Sequence, residues 1–172
     1  MEITLEQLLA SRDRRQQRQR ELLADGDSGL TLLCLTVVMP GPQKRNELSL
    51  TVAQAAVTEL LRQLLGSLVY HETADLPTGF EGYFLVRQPL ADAKRLACRI
   101  EDTHPLGRLF DIDAIGSDGV PLDRQSIGLP SRRCLICGGD AHACMRNRTH
   151  PLPDLLHHIK LMVDAYVRHN RN

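Results

Sequence analysis

Two aspartates separated by one isoleucine, in "HPLGRLFDID" (residues 104–113), have the types and spacing for phosphoryl chemistry. In a strand, residues i and i+2 share a face, so Asp111 and Asp113 point the same way while Leu109, Phe110 and Ile112 supply apolar contact. Like charges at that spacing repel unless a cation lies between them. Mg²⁺ is the usual cation, held by one or two carboxylates together with substrate phosphates; a solvated strand face is the alternative. Palm-type nucleotidyltransferases use paired strand carboxylates of this kind to hold Mg²⁺ against a triphosphate for in-line attack at the α-phosphorus. The glycine-serine element that usually precedes such a pair is not visible, and the sequence assigns no third carboxylate. His104, close by and with a suitable ordinary pKa, is the candidate general base, and Arg108 the candidate partner for phosphoryl oxygens.

A second cluster lies in "RRCLICGGDAHACMRNRTH" (132–150), with Cys134 and Cys137 as C-x-x-C, then Cys144 and His150. Three thiolates and one imidazole close a tetrahedral zinc shell with no open position, the mark of a structural site. His142 is a rival fourth ligand. A redox pair and metal-free packed thiols are the other readings. Arg108, Arg132, Arg133, Arg146 and Arg148, with Lys44 and Arg45, have the chemistry of a polyanion clamp if they converge.

The elements that must position these residues follow from periodicity. Thr4 caps a helix that carries Leu5, Leu8, Leu9, Leu22 and Leu23 and ends at "DGDSG" (25–29). "LTLLCLTVVMP" (30–40) reads as a central strand with Cys34 in its core, followed by a turn over 40–46. Apolar spacing predicts a helix over 48–65 with Gly66 in the C-cap place. Strands over 67–73 and 83–88 make a hairpin across "ADLPTGFEG". A helix follows from Leu90 with Cys98 near its apolar face, then a strand over 107–116. The order is β-α-β-β-α-β, the split βαβ arrangement of ferredoxin-like folds. The expected fold class is thus α+β: a palm-type core (30–116) with a four-stranded, antiparallel-containing sheet and two helices on one face. An N-terminal helix precedes it, and a tail (117–172) with the Cys/His cluster ends in a helix over 152–169. A single transferase domain over 1–172 is expected.

Composition narrows the partners. With 21 basic and 21 acidic residues the net charge is zero, which argues against a dedicated nucleic-acid binder. Five cysteines, an odd number, suit a reducing compartment. No run is long and apolar enough to span a bilayer, and "MEITLEQLLASRDRR" has acids where a secretory signal would be positive, so a cytoplasmic protein is expected. The arginines of "SRDRRQQRQR" (11–20) suit either a solvated helix face or a docking face for an acidic partner.

"LLASRDRRQQRQ", "LTVVMPGPQK" (35–44), "HPLGRLFDID" and "RRCLICGGDAHACMRNRTH" together resemble the citrate lyase holo-acyl-carrier-protein synthases, also called apo-citrate lyase phosphoribosyl-dephospho-CoA transferases. The similarity runs in the same order over nearly the whole chain. It implies transfer of the phosphoribosyl-dephospho-CoA group from triphosphoribosyl-dephospho-CoA to a serine of the acyl-carrier (gamma) subunit of citrate lyase, with release of diphosphate and with Mg²⁺ as cofactor. Motif positions carried by the resemblance are Arg12, Lys44, His104, Gly107, Arg108, Asp111, Asp113, Arg133, Cys134, Cys137, Cys144, Arg146 and His150. Arg12, Lys44, Arg45, Gly107, Arg133 and Arg146 are the expected substrate contacts. The competing reading is a zinc-stabilised, non-catalytic module that binds an acyl-carrier or other acidic protein.

Overall fold

In the computed structural model, which describes residues 2–24 and 29–170, one antiparallel sheet carries the chemistry-bearing strand at its edge. The order along the chain is α1 (Leu5–Ala24), β1 (Thr31–Val37), α2 (Glu47–Leu64), β2 (Leu68–Leu76), β3 (Gly79–Val86), α3 (Leu90–Thr103), β4 (Phe110–Ile115), α4 (Ala141–Asn147) and α5 (Leu152–His169). The sheet order is β2-β3-β1-β4. β3 therefore lies between the mutually parallel β1 and β2, and β1 lies between the mutually parallel β3 and β4. Each pair is bridged by a helix, α2 and α3 respectively.

Helix starts agree with their sequence signals. Thr4 and Gln7 exchange side-chain to backbone hydrogen bonds of 2.9 and 3.2 Å at α1, and Asn46 with Ser49 forms the same box at α2. The stop for α1 at 25–28 lies outside the described residues. Three boundaries differ from expectation. Gly107–Leu109 forms a 3-10 turn, so the strand expected over 107–116 begins at Phe110. The hairpin closes on Pro77 and Thr78 alone, because Ala74, Asp75 and Leu76 pair with Glu81, Phe80 and Gly79; Gly79 turns with φ 121°. Most of "ADLPTGFEG" is therefore strand. α2 ends at Leu65 in right-handed geometry, so Gly66 is not needed as a left-handed cap.

Strand alternation sorts the two sheet faces. Leu33, Leu35, Phe84, Val86, Phe110, Ile112 and Ala114 face α2, α3 and α5 and form the main core with Val52, Leu60, Leu96, Ile100 and Ile159. The other face carries Leu32, Cys34, Tyr83, Leu85 and Ile115 beneath Leu22 of α1. Toward the opposite end of that face, α1 lies over polar residues: Arg18 makes a bidentate pair with Glu72 at 2.6 and 2.9 Å, and Arg15 bonds Glu81 at 3.0 Å.

β4 is an edge strand, and side chains satisfy its free edge. Glu101 of α3 accepts the Ile112 N–H at 2.8 Å, Lys94 Nζ donates to Ile112 O at 3.3 Å, and Arg132 donates to Phe110 O. Glu101 also pairs with Arg124 at 3.1 Å and is 4% exposed. Removing one member of such a cluster strands the others without a partner. Glu101→Ala is expected to lower stability by about 3–5 kcal/mol, on the order of 10 °C in Tm. Glu101→Gln, which still accepts from Ile112, should lose less; thermal melts of both variants check this.

Candidate functional site

Asp111 and Asp113 occupy alternate positions of β4 on the face roofed by α1, as the strand period requires. Thr36 and Cys34 of β1 stand directly beside them, in register. Asp111 accepts from Thr36 Oγ1 at 3.2 Å and from Arg132 Nη1 at 3.1 Å. Asp113 accepts no hydrogen bond from any described residue. Burial, reinforced by the charge of Asp111, holds the Asp113 carboxyl above its ordinary value. The pair therefore has one carboxylate with direct partners and one without. Its donors are all hard oxygens, with those of Asp113 uncommitted, and this set fits Mg²⁺, for which two carboxylates and substrate phosphates suffice.

The neighbouring arginines divide the remaining work. Arg132 is bound to Asp111, Phe110 O and Arg108 O. Arg108 makes no hydrogen bond or ion pair with a described residue, and burial followed by the nearby Arg132 lowers its pKa. His104 is elsewhere. Its ring packs on Phe110 and Tyr166 at 4.8 and 5.4 Å, on the sheet face opposite the aspartates, and its Nδ1 accepts the Leu106 N–H. Alternation along β4 is the reason: Phe110 and Asp111 are adjacent and so face opposite ways.

The Cys/His segment folds into one cluster. The ligand atoms of Cys134, Cys137, Cys144 and His150 all lie within 4.8 Å of one another, and Cys137 and Cys144 Sγ are 3.5 Å apart. Thiolates on one tetrahedral zinc stand roughly 3.8 Å apart, from a Zn–S length of about 2.3 Å. His150 Nε2 is buried without a hydrogen-bond partner. Gly138 turns the C-x-x-C knuckle with φ 71°. Burial works against the Cys134 thiolate, but the N–H groups of Cys137 and Ile136 outweigh it and hold the thiol at about 6. His142, the rival ligand, is exposed and outside the cluster.

A cleft of about 1030 Å³ opens between the end of the sheet, the cluster and the start of α5. Its floor is apolar, with Met39, Phe80, Leu135, Leu152 and Ile159. Arg15, Lys44 and Arg148 supply its positive side, Cys134, Cys144 and His150 form part of its wall, and Thr36 joins it to Asp111.

The seven cations named from the sequence do not meet at one point. Lys44 and Arg148 line the cleft, Arg45 is bidentate to Asp75 at 2.7 Å, Arg132 pairs with Asp111, and Arg108 lies near Arg132 and Asp102. Arg133 and Arg146 are exposed near the cluster, and Arg12 is exposed on α1. Gly107 has a steric reason to be glycine: a Cβ there would lie 2.5 Å from Glu101 O. Arg15 and Arg18, from the basic stretch of α1, are held by Glu81 and Glu72 rather than left free. Glu101 behind β4 was not among the expected site residues, and Arg148 was expected only as one member of the cation clamp. The signal for Glu101 was a lone acid on the apolar side of an amphipathic helix.

Comparison with known proteins assigns the chain to a family. The family model described as apo-citrate lyase phosphoribosyl-dephospho-CoA transferase matches residues 3–166. The chain belongs to that family. A relative of that name from Citrobacter koseri is 40% identical over 158 residues, covering 90% of this chain and 85% of the relative. Those from Shigella flexneri serotype 5b and Escherichia coli O1:K1 are each 36% identical over 165 residues, covering 94% of this chain and 89% of the relative. The chain is accordingly a transferase, and none of its described helices is long and apolar enough to cross a membrane.

The raised Asp113 value has a consequence for stability. A folded-state value above the unfolded one means that the folded protein binds the proton more tightly. The stability gained is complete below the ordinary value of 3.8 and is lost as pH rises through the folded one. Asp113→Asn, which cannot ionise, should therefore raise Tm at pH 7 and lose that advantage at pH 3.5. Calorimetry of both proteins without added metal, between those pH values, measures it.

Proposed function

We propose that this chain transfers the phosphoribosyl-dephospho-CoA group from triphosphoribosyl-dephospho-CoA to a serine of the acyl-carrier (gamma) subunit of citrate lyase. The serine Oγ–P bond forms, the bond from that phosphorus to the bridging oxygen breaks, the hydroxyl gives up its proton, and diphosphate leaves. The observation that carries the reading is the Asp111–Asp113 pair, in which Asp113 has no hydrogen-bond partner among the described residues and Asp111 is joined through Thr36 to a large cleft with cations on its side. The reading rests equally on membership of the family.

Asp111 and Asp113 are the residues that would hold Mg²⁺. The ion, when bound, supplies positive charge to the phosphoryl oxygens and the leaving diphosphate. Arg132 orients Asp111 from the strand edge, and Arg108, whose guanidinium has no hydrogen-bond or ion-pair partner among the described residues, is the proposed contact for phosphoryl oxygens. Thr36 fixes the second Asp111 oxygen and sets the boundary between carboxylates and cleft. The strand order and the two interleaved βαβ crossings support a palm-type, ferredoxin-like reading of residues 30–116, within one transferase domain that acts in the cytoplasm.

Cys134, Cys137, Cys144 and His150 hold one structural zinc ion in this reading, which fixes the tail against the sheet end. A closed four-ligand shell leaves no position for substrate. Elemental analysis of protein purified without added metal should find about one zinc per chain; fully active protein with none would end that assignment.

The transferase reading is tested by incubating the chain with apo acyl-carrier subunit, triphosphoribosyl-dephospho-CoA and Mg²⁺, and weighing the carrier by mass spectrometry. The carrier should gain the prosthetic group. Asp111→Asn and Asp113→Asn should each reduce transfer by about 10²-fold or more, since each removes transition-state charge stabilisation of the kind worth that much, with the fold retained. Transfer within a few-fold of the parent would remove the metal role, and tight carrier binding without transfer would favour a non-catalytic binding module.

A further inference from the structure

Among the described residues, Arg148 alone has a positive φ without being glycine, at φ 49° and ψ 43°. Glycine or asparagine takes that conformation with less strain. Its N–H closes α4 by bonding Cys144 O and Met145 O, and the next N–H, from Thr149, bonds Cys144 O at 3.0 Å. The reversal turns the chain between two members of the cluster, bringing His150 back beside Cys144. Nothing in that backbone task calls for an arginine. The side chain accordingly needs its own account.

That side chain lines the cleft and makes no hydrogen bond or ion pair with any described residue. Lys44 lines the same cleft and uses one of its three donors on Met39 O at 2.7 Å. The carboxylate in the lining, Glu81, is already bound by Arg15, Tyr83 and Ser11. Two cations thus stand over an apolar floor with no acid left to balance them. The complementary ligand is an anion attached to an apolar body, and phosphate oxygens match a guanidinium fork in geometry as well as charge.

We propose that Arg148, assisted by Lys44, anchors phosphate groups of the nucleotide bound in this cleft, and that the left-handed turn closing the Cys/His cluster is what presents its guanidinium there. The identity of the nucleotide rests on the transferase reading; the placement of Arg148 does not. The donor carries phosphate in two places, a diphosphate bridge and a terminal triphosphate, and both share the chemistry that Arg148 recognises. The cluster then has a second role beyond stability: it holds one wall of the ligand site in register with the aspartates at the sheet edge.

Calorimetric titration of the full, metal-containing chain with dephospho-CoA and, separately, inorganic triphosphate tests this. Arg148→Asn keeps a residue that tolerates the left-handed turn and removes the charge; Arg148→Lys restores a point charge without the fork. Affinity for one or both probes should fall by about tenfold or more in Arg148→Asn, as loss of a charge-assisted hydrogen bond implies, and recover in part in Arg148→Lys, with zinc content and Tm unchanged. The probe that loses affinity identifies the phosphate group held. Affinities within twofold of the parent for both probes, or no binding of either by the parent, would overturn the proposal. Should Arg148→Asn lose metal, Arg148→Gly, which suits the turn better, carries the measurement; loss of metal there too makes the residue's role structural and also overturns it. Carrier that gains its prosthetic group while Arg148→Asn binds both probes normally removes this proposal alone, and Arg148-dependent binding without transfer removes the transferase reading alone.

Discussion

The buried Glu101 carboxylate is the constraint on which the geometry of the site depends. β4 is an edge strand, and an edge strand exposes unpaired N–H and C=O groups that make it prone to shift register or recruit other chains. Here Glu101 and Lys94 take both backbone groups of Ile112, and Arg132 takes Phe110 O. Ile112 sits between the two aspartates, so fixing its backbone fixes both carboxylates. Burial raises the Glu101 carboxyl above its ordinary value, and Arg132, the Ile112 N–H, Arg124 and Lys94 oppose that rise. The same charge holds Arg124 at 3.1 Å and lies near Arg132, which in turn grips Asp111. One acid on α3 thereby links helix, strand edge and tail.

Much of this was legible in the sequence, for reasons that differ by element. The period-2 pattern of "LFDID" required the aspartates to share a face, because no other strand geometry buries Phe110 and Ile112 together. The cysteine spacing required a compact cluster, and the structure selects His150 over His142. Thr4 marked the start of α1 through local hydrogen bonds that need no tertiary contact. The hairpin end differs because turn-forming residues run through "ADLPTGFEG", whereas cross-strand pairing extends both strands and leaves only Pro77 and Thr78 in the turn.

The rest was not legible because it depends on which residues meet across the fold. His104 is seven positions from Asp111, yet strand alternation and the packing of Tyr166 place it behind the sheet. Arg15 and Arg18 looked like free surface charge, and only the register of β2 and β3 brings Glu72 and Glu81 beneath them. Gly107 was expected as a substrate contact; the carbonyl of Glu101, 2.5 Å from where a Cβ would be, gives it a steric reason that the sequence did not show. In each case the residue type was informative and the partner lay far away in sequence.

The sheet face under α1 carries four carboxylates, and their unequal compensation is what distinguishes a site from a surface. Glu72 is neutralised by Arg18, and Glu81 by Arg15 with two hydroxyls in support. Asp111 has Arg132 on one oxygen and Thr36 on the other, with half its side chain still exposed. Asp113, next along the strand, has none of these. A chain selected for stability alone gains by placing an asparagine or a second arginine at such a position, since an unmatched buried carboxylate opposes folding. Asp111 is joined through Thr36 to the cleft, and a divalent cation with substrate phosphates is the positive group that the proposed transfer would bring to this pair.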